Sequence, residues 1–568
     1  MRLALLLLAA CATAPETVPP KPPGENILHP RSRIDTESAA FVQALRDEYR
    51  AMGRIQAVLG WYAATQGETS LAQLTYLGHD RLFQRTALDA IARAQGSAQG
   101  NEVLALTFLK RALTGEIVGL AVAKFDDEYA DAESGATVTL PWRDKPLAFR
   151  DVQSLIAQEP DAARRRQAFA AMNAVRVATL NPILERKEDA AQHAARETGF
   201  ADYVALSEEQ RQVQLAPLLV QGVAYVQATE SVFRATLDRV AREELGIPRE
   251  QMHQPDWGRL WKSPRLAPYF DKGLELKALE AFLSGIGLGL GDVKVDDSLH
   301  PRKRPRAFVN PVDPPRDVRL SVKPVGGLDD YWTLFHEAGH AVHFSSATIE
   351  PSELIQLGYG APSEGFGEFF RHAFSDPRWL TRFRAFLLEN GKAAPANAEL
   401  AAILRRTALI EMYYLRRYAF AKIAYELRLH GRPASEIEPA LKLLPGHPGD
   451  LHELYRQLFS VAYGFELSPD DAQVFRTDVD DTFYSADYAR AFVLAGLMHE
   501  GIRKQFGEDW YGNPAVGKFL KSELFSRGTS LTADDVAKRL GFAGLDFAAA
   551  ARRAQRLVAE ADALEKAK

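Results

Sequence analysis

Apolar residues recur at helical spacing along most of the chain, and this periodicity constrains the fold more than any other feature of the sequence. In the stretch 36–66 the apolar positions stand three or four residues apart between charged ones: Phe41, Leu45, Tyr49, Met52, Ile55 and Leu59. Similar patterns fill the ranges 101–125, 160–246, 274–288, 398–430, 451–464 and 486–506. They follow no fixed period of the kind that a solenoid requires. A mostly α fold is therefore predicted.

Two short stretches are the only good strand candidates. They are 306–310 and 317–323, and the turn-prone Pro311, Pro314 and Pro315 lie between them. Both stretches come shortly before a helix candidate that carries several histidines. The sequence therefore predicts a small β-sheet beside that helix.

The chain begins with a signal-like segment. Arg2 precedes the apolar run 3–10, which is too short to cross a bilayer as a helix, and the run ends at Cys11. Residues 8–11 resemble the lipobox of bacterial lipoproteins, whose cysteine carries the lipid. This resemblance implies a signal peptide at 1–10, a lipid anchor at Cys11 and a proline-rich linker at 11–30. The alternative is an ordinary secretory signal with a chance cysteine.

The lipobox resemblance also implies a location. A protein with this anchor belongs to the bacterial cell envelope, and Ala12, in place of aspartate, favours the outer membrane. The folded body is then expected in the periplasm or at the cell surface. No second apolar stretch is long enough to span a bilayer, so the lipid is the expected membrane contact.

Composition excludes several kinds of chemistry. Cys11 is the only cysteine, so neither a disulfide nor a thiol nucleophile is expected. A net charge of −5 gives no general attraction to nucleic acid. The glycine-rich run 285–291 has no Lys-Ser/Thr after it and is interpreted as a helix end and loop, not as a nucleotide site. The basic run 302–306 is interpreted as a solvated loop or cleft rim.

The sequence His336-Glu337-Ala338-Gly339-His340 predicts a metal site on a helix that Asp329 or Asp330 is expected to cap. Histidines four apart lie one turn apart on one helix face, so both imidazoles can reach one ion. Zn²⁺ accepts two nitrogens and a carboxylate and leaves a position open for water. Glu337 is placed to accept a proton from that water without binding the ion. A surface helix with two solvated histidines is the structural alternative.

A carboxylate from a second helix is expected as the third ligand. Glu364 and Glu368 are four apart beside the apolar Phe366 and Phe370, and a buried acidic pair requires a neutralising cation. Glu364 is predicted as the ligand and Glu368 as the carboxylate that orients a ligand histidine, with the reverse assignment left open. His343 is expected as a supporting or core histidine.

Several segments resemble known metallopeptidases. Residues 363–367 resemble the Asn-Glu-Gly-Phe-Ala ligand signature of the alanyl aminopeptidases, which are gluzincins. Residues 333–343 closely follow the Thr-Leu-Phe-His-Glu-Phe-Gly-His-Ala-Leu-His motif of the thimet oligopeptidase and oligoendopeptidase F family, a relative of the angiotensin-converting enzyme family. Residues 303–308 are similar to its Lys-Arg-x-Gly-Ala-Phe segment, and residues 484–493 to its C-terminal tyrosine helix.

The resemblance implies further site residues. In those families a tyrosine donates a hydrogen bond to the oxyanion, and Tyr488 is the candidate, with Tyr484 in reserve; aromatic packing is the alternative for both. Arg490 is expected to hold a substrate carboxylate, or else an internal acid. Two features depart from the families: Ala491 stands where their tyrosine is expected, and the glycine-rich histidine loop is absent from 475–483.

Together these observations predict a two-lobed helical body with a deep central cleft and a small β-sheet beside the zinc. Residues 31–300 would form the N-terminal helical lobe and 301–568 the catalytic region. The expected activity is zinc-dependent hydrolysis of peptide bonds in short peptides by a monomer. The alternatives are a non-catalytic relative that binds peptides, and a zinc hydrolase of another amide or ester.

Overall fold

The computed structural model describes residues 39–67, 72–300, 302–304 and 306–567, and this part of the chain is mostly helical. Up to residue 285 the helices are α1 (Ala39–Gln66), α2 (Arg85–Ser97), α3 (Asn101–Gly135), α4 (Phe149–Gln158), α5 (Ala162–Val175), α6 (Asn181–Glu197), α7 (Tyr203–Arg211), α8 (Leu215–Leu245), α9 (Gln254–Lys262) and α10 (Glu275–Gly285). The predicted helical ranges in this half correspond to helices where the structure describes them, but 160–246 is interrupted at 198–202 and 212–214, and the helix predicted at 274–288 ends at Gly285.

The second half contains shorter helices around the histidine motif. They are α11 (Leu328–Ser346), α12 (Glu353–Gln356), α13 (Gly360–Arg371), α14 (Pro377–Glu389), α15 (Asn397–Leu415), α16 (Ile423–Leu429), α17 (Glu438–Leu441), α18 (Leu451–Tyr463), α19 (Ser485–Phe506), α20 (Ala515–Phe519), α21 (Ala533–Arg539) and α22 (Phe547–Lys566). A π-helical turn, Arg416–Lys422, joins α15 to α16. None of the described helices is long and apolar enough to cross a bilayer.

The described strands form a hairpin and a three-stranded sheet. The hairpin pairs β1 (Thr137–Val138) with β2 (Leu147–Ala148). In the sheet, β5 (Asp317–Ser321) lies between β3 (Lys294–Asp296), to which it is parallel, and β4 (Phe308–Asp313), to which it is antiparallel. The small sheet predicted ahead of the histidine motif is therefore present, with β3 as an additional strand that the sequence did not indicate.

Pro311 lies inside β4, although its position suggested a turn. It stands opposite Val318, and the register shifts between Pro311 and Asp313. β4 is an edge strand, where a residue without an N–H is tolerated because the outer side of the ladder needs no donor. The turn occupies Pro314, Pro315 and Arg316 instead.

The site elements pack on one another in a fixed order. α11 packs against α13, α13 packs against α19, and β4 and β5 both contact α11. The largest hydrophobic cluster joins residues from both sides of position 300, for example Phe169 and Leu219 with Phe335 and Phe492. The predicted division at residue 300 therefore does not interrupt the core, and the two-lobed shape stays a prediction.

The N-terminus of α11 is built differently from expectation. Gly327 with φ 96° precedes the helix, and no side chain caps it. Asp330 instead accepts hydrogen bonds from the N–H groups of Val325 and Gly326, both at 2.8 Å, and thereby holds the loop that enters the helix. Asp329 lies 3.6 Å from Lys262. The expectation that either aspartate caps the helix is therefore wrong.

Candidate metal centre

Two imidazoles of α11 face each other at the centre of the site. The Nε2 atoms of His336 and His340 are 3.1 Å apart, and both rings are largely buried. Their spacing of four residues places them on successive turns of one helix face. Two ring nitrogens that converge in this way favour a shared cation between them.

Glu364 reaches the same point from α13. Its Oε2 lies 3.3 Å from His336 Nε2 and 3.5 Å from His340 Nε2, and this buried oxygen has no hydrogen-bond partner among the described residues. A tetrahedral ion with bonds of about 2.0–2.1 Å, such as zinc, separates its ligand atoms by about 3.3–3.4 Å. The three side chains therefore fit a divalent ion, and within the described residues they form the one group of this kind.

Glycines allow α11 and α13 to approach this closely. A Cβ on Gly339 would lie 2.5 Å from the carbonyl oxygen of Phe366, and one on Gly367 would lie 2.8 Å from the His336 ring. Both distances are far shorter than a carbon contact tolerates. The absence of side chains at these positions is what lets Glu364 and the histidines share one point.

Glu368 lies behind His336, on the side away from the ligand atoms. Its Oε1 is 3.2 Å from His336 Nδ1 and 3.2 Å from Arg371 Nη1. Burial acts to lower the pKa of His336, but Glu364 and Glu368 outweigh it and raise the pKa to about 10. The two carboxylates therefore favour positive charge at this place. Of the two acids, the geometry groups Glu364 with both histidines and places Glu368 against one.

A chain of hydrogen bonds sets the tautomer of His340. His343 Nε2 is 3.0 Å from the Gly528 carbonyl, which only accepts, so His343 donates there and its Nδ1 is the acceptor. Burial, the main cause, lowers the pKa of His343 to about 4, so the ring is neutral at pH 7. Ser363 Oγ is 3.4 Å from His343 Nδ1 and 3.1 Å from His340 Nδ1.

One assignment of donors and acceptors satisfies both hydrogen bonds of Ser363. Ser363 donates to His343 and accepts from His340 Nδ1–H, which leaves the His340 Nε2 lone pair facing Glu364. This is the tautomer that a metal ligand needs. His343 thus supports His340 through Ser363, as predicted for a supporting histidine, and no pattern in the sequence indicated Ser363.

Tyr484 contacts the ligand carboxylate directly. Its hydroxyl donates a short hydrogen bond to Glu364 Oε1, which leaves Oε2 for the ion. Burial, followed by Glu364, raises the pKa of Tyr484 well above its usual value, so the phenol keeps its proton. The reserve oxyanion candidate is therefore engaged in orienting Glu364, which sequence reasoning missed.

Glu337 is held beside the ligands by the edge strand. The N–H of Val309 in β4 donates to Glu337 Oε2 at 2.8 Å, and no described hydrogen bond occupies Oε1. Glu337 is half-buried and lines a cavity of about 390 Å³. One carboxylate oxygen is thus fixed by the backbone, and the other has no described hydrogen-bond partner.

The cavity brings together several predicted residues. It is lined by Arg304, Arg306, Ala307, Phe308, Thr333, His336, Glu337, Glu368, Arg371, Tyr414, Tyr418, Tyr488 and Phe492. Tyr488 stacks on Tyr418 with ring centroids 5.0 Å apart, and burial and then Glu364 raise its pKa. Tyr488 therefore faces the cavity as a protonated phenol close to the acidic residues.

Arg490 is engaged elsewhere. Its guanidinium pairs with Asp487 and donates to the Arg211 carbonyl at 2.8 Å, and it is not among the cavity residues above. A substrate carboxylate and an internal acid were the two partners expected for Arg490, and the structure shows an internal acid, Asp487. Ala491 is fully buried in the core. Cys11, the signal peptide and the linker lie outside the described residues.

No protein-family model and no curated protein matches the chain. The interpretation of the site therefore depends on its geometry and on the motifs in the sequence.

Proposed function

We propose that this chain is a zinc-dependent peptidase that hydrolyses peptide bonds in short peptides. One observation carries the proposal: His336, His340 and Glu364 converge with ion-binding spacing while Glu337 stands next to them at the wall of a cavity. The close motif resemblance to the thimet oligopeptidase and oligoendopeptidase F family supports it. Zinc suits the donor set of two imidazoles and a carboxylate.

Each protein group has a task in this proposal. When bound, zinc lowers the pKa of a water molecule to about 7 and polarises a carbonyl. Glu337 accepts the proton of the attacking water at Oε1 and later returns it to the leaving amine, while Val309 N–H holds Oε2. Tyr488 donates a hydrogen bond from its hydroxyl to the oxyanion that develops on the substrate. Glu368 and Ser363 keep the ligand histidines oriented.

The setting of the enzyme is part of the proposal. We propose a two-lobed body whose cleft admits extended peptides, anchored as a monomer to the bacterial outer membrane by lipid on Cys11. Peptides are its expected partners, and nucleic acid is not. The anchored chain would then act on peptides in the envelope.

The test compares Glu337→Gln with wild type on quenched fluorescent peptides. We expect zinc content near one per chain in both and turnover reduced by at least about 100-fold in the variant, because a general base contributes that much. Glu389→Gln, an exposed glutamate on α14, is the control and should keep full turnover. Chelation should abolish turnover and added zinc should restore it.

Other outcomes would identify the alternatives. A wild-type protein that binds zinc and peptides without turnover would be a non-catalytic peptide-binding relative. Turnover of non-peptide amides or esters without peptide cleavage would show a different zinc hydrolase. Wild-type protein that binds no zinc at all would contradict the proposal at its first step.

A further inference from the structure

Two arginines in the cavity form no ion pair with any of the described residues. Arg304 and Arg306 line the cavity together with His336 and Glu337, and both side chains are exposed. Across the described part of the chain, neither guanidinium forms an ion pair or a side-chain hydrogen bond. Arginines on a protein surface are common, but here they face the space beside the candidate metal ligands.

The segment that carries them is fixed to the sheet. Lys303, between Arg302 and Arg304, is buried, and its Nζ donates to the carbonyls of Asp296 at 2.7 Å and Val322 at 3.0 Å. The N–H of Arg304 donates to the Ala64 carbonyl of α1 at 2.9 Å. Lys303 and Arg304 are therefore held by the sheet on one side and by α1 on the other, which limits the entropy lost when Arg304 binds a ligand.

The third arginine that lines the cavity, Arg371, already has partners in the protein. Arg371 lies 3.2 Å from Glu368 and packs on the rings of Trp332, Tyr414 and Phe492. Its charge is balanced by protein, and it forms part of the wall.

Each acid near Arg306 has another partner of its own. Glu337 accepts from Val309 N–H, and Asp329 lies beside Lys262. The surrounding cavity wall partly shields Arg306 from water, which acts to lower its pKa, but Asp329, Tyr414 and Glu337 outweigh this effect and raise the pKa. The guanidinium is therefore always charged, it lines the cavity, and no described residue accepts a hydrogen bond from it.

We propose that Arg306, assisted by Arg304, binds a carboxylate of the peptide substrate, and that this carboxylate is the free C-terminus. The inference depends on the proposed peptidase function for its substrate. A guanidinium presents parallel N–H donors that match a carboxylate and makes strong charge-assisted bonds with it. The cavity, at about 390 Å³, has the size of a site for a small ligand, which suits a short C-terminal piece of peptide. The enzyme would then release short fragments from the C-terminal end.

The binding experiment uses zinc-loaded Glu337→Gln, so that no peptide is consumed. Three peptides of one sequence are compared by titration calorimetry: the free acid, the C-terminal amide, and the amide with one glutamate near its end. We expect the free acid to bind about 10- to 100-fold more tightly than the amide, the range of one charged hydrogen-bonded contact. Adding Arg306→Gln should remove that difference, and Arg306→Lys should keep part of it.

The matched control is Arg166→Gln, an exposed arginine on α5 outside the cavity lining, which should leave the preference unchanged. Circular dichroism and melting temperature show whether each variant is folded. If Arg306→Gln does not fold, the affinities for the free acid and the amide are compared in the Glu337→Gln protein with and without Arg304→Gln. That comparison still shows whether the arginines bind the carboxylate. A preference for the internal glutamate equal to that for the free acid would show an acidic side chain as the ligand and overturn the C-terminal assignment.

Measurements of turnover distinguish the proposed carboxylate site from the proposed peptidase function. Cleavage of acid and amide with equal kcat/KM, together with equal binding, would overturn the carboxylate site and leave the peptidase standing. An Arg306-dependent preference in binding without any cleavage by the wild type would support the site and overturn the peptidase. Mass spectrometry of the products should show short C-terminal fragments.

Discussion

At the scale of single residues, the tautomer of His340 depends on groups that do not bind the proposed ion. The Gly528 carbonyl sets the proton on His343, and Ser363 transmits that choice to His340. Removing the hydroxyl would leave His340 free to place its proton on Nε2, where it opposes metal binding. Partners of ligand histidines commonly affect metal affinity in this way.

Ser363→Ala should therefore weaken zinc binding by about 10- to 100-fold. The affinity is measured by competition with a chromogenic chelator. Ser345→Ala on the same helix as the histidines is the matched control, because its hydroxyl bonds only to the Val342 carbonyl at 3.3 Å. Equal affinities in both variants and in wild type would show that the hydrogen-bond chain does not set the tautomer.

The sequence was sufficient to predict that some of these side chains lie together, and it was not sufficient for others. His336, Glu337 and His340 could be predicted because a helix fixes their relative positions from spacing alone. The short Tyr484 contact with Glu364 joins residues 120 positions apart and needs the packing of α19 on α13, which no local pattern encodes.

At the scale of elements, the contact between α11 and α13 decides whether a site exists. Gly339 faces the backbone of α13 at the level of Phe366 and Gly367. A side chain at this position would meet backbone, which cannot move aside as a flexible side chain can. The separation of the helices, and with it the distance between His340 and Glu364, depends on this one close approach.

Gly339→Ala is expected to force the two helices apart. The added Cβ would lie 2.5 Å from the Phe366 carbonyl oxygen, and overpacking of this kind costs about 1–3 kcal/mol. Both the free energy of unfolding in urea and the zinc content should fall. Gly60→Ala in α1, where no neighbour lies within 4 Å, should instead stabilise the protein slightly through helix propensity. A Gly339→Ala protein with unchanged zinc affinity would contradict this account.

Elements with long periodic patterns could be predicted, and short ones could not. The ends predicted for the helix at 486–506 agree with α19 to within one residue because its apolar spacing is regular. β3 has three residues and is stabilised mainly by its pairing with β5, so its own sequence carries little signal. Asp330 was expected to cap α11, but its carboxylate is used by the loop instead.

At the scale of the whole molecule, one buried acid should make stability depend on pH. Both carboxylate oxygens of Glu275 are buried without a hydrogen-bond partner among the described residues. Burial, followed by repulsion from Asp330, raises the pKa of Glu275 to about 9. The folded protein therefore holds this proton more tightly than the unfolded chain does. Stability from this group is complete below pH 4.5 and is lost as the pH rises towards 9.

Glu275→Gln should remove that loss, because glutamine is neutral at every pH. Unfolding in urea at pH 6 and pH 9 should show a stability gain for the variant over wild type that is larger at pH 9. Glu280→Gln, an exposed glutamate on the same helix, is the control and should show no such difference between the two pH values. A gain that is equal at both pH values would mean that Glu275 does not titrate in this range.

The buried ammonium of Lys303 has a consequence for the length of the products. Its bonds to Asp296 and Val322 tie the arginine segment to β3 and to the end of β5, while β4 of the same sheet holds Glu337 through Val309. The backbone next to Arg304, part of the proposed anchor, and the proposed general base Glu337 are thus held by one sheet. A substrate gripped by Arg306 would be cut at a constant offset from its terminus, so the fragments should be uniform in size across sequences.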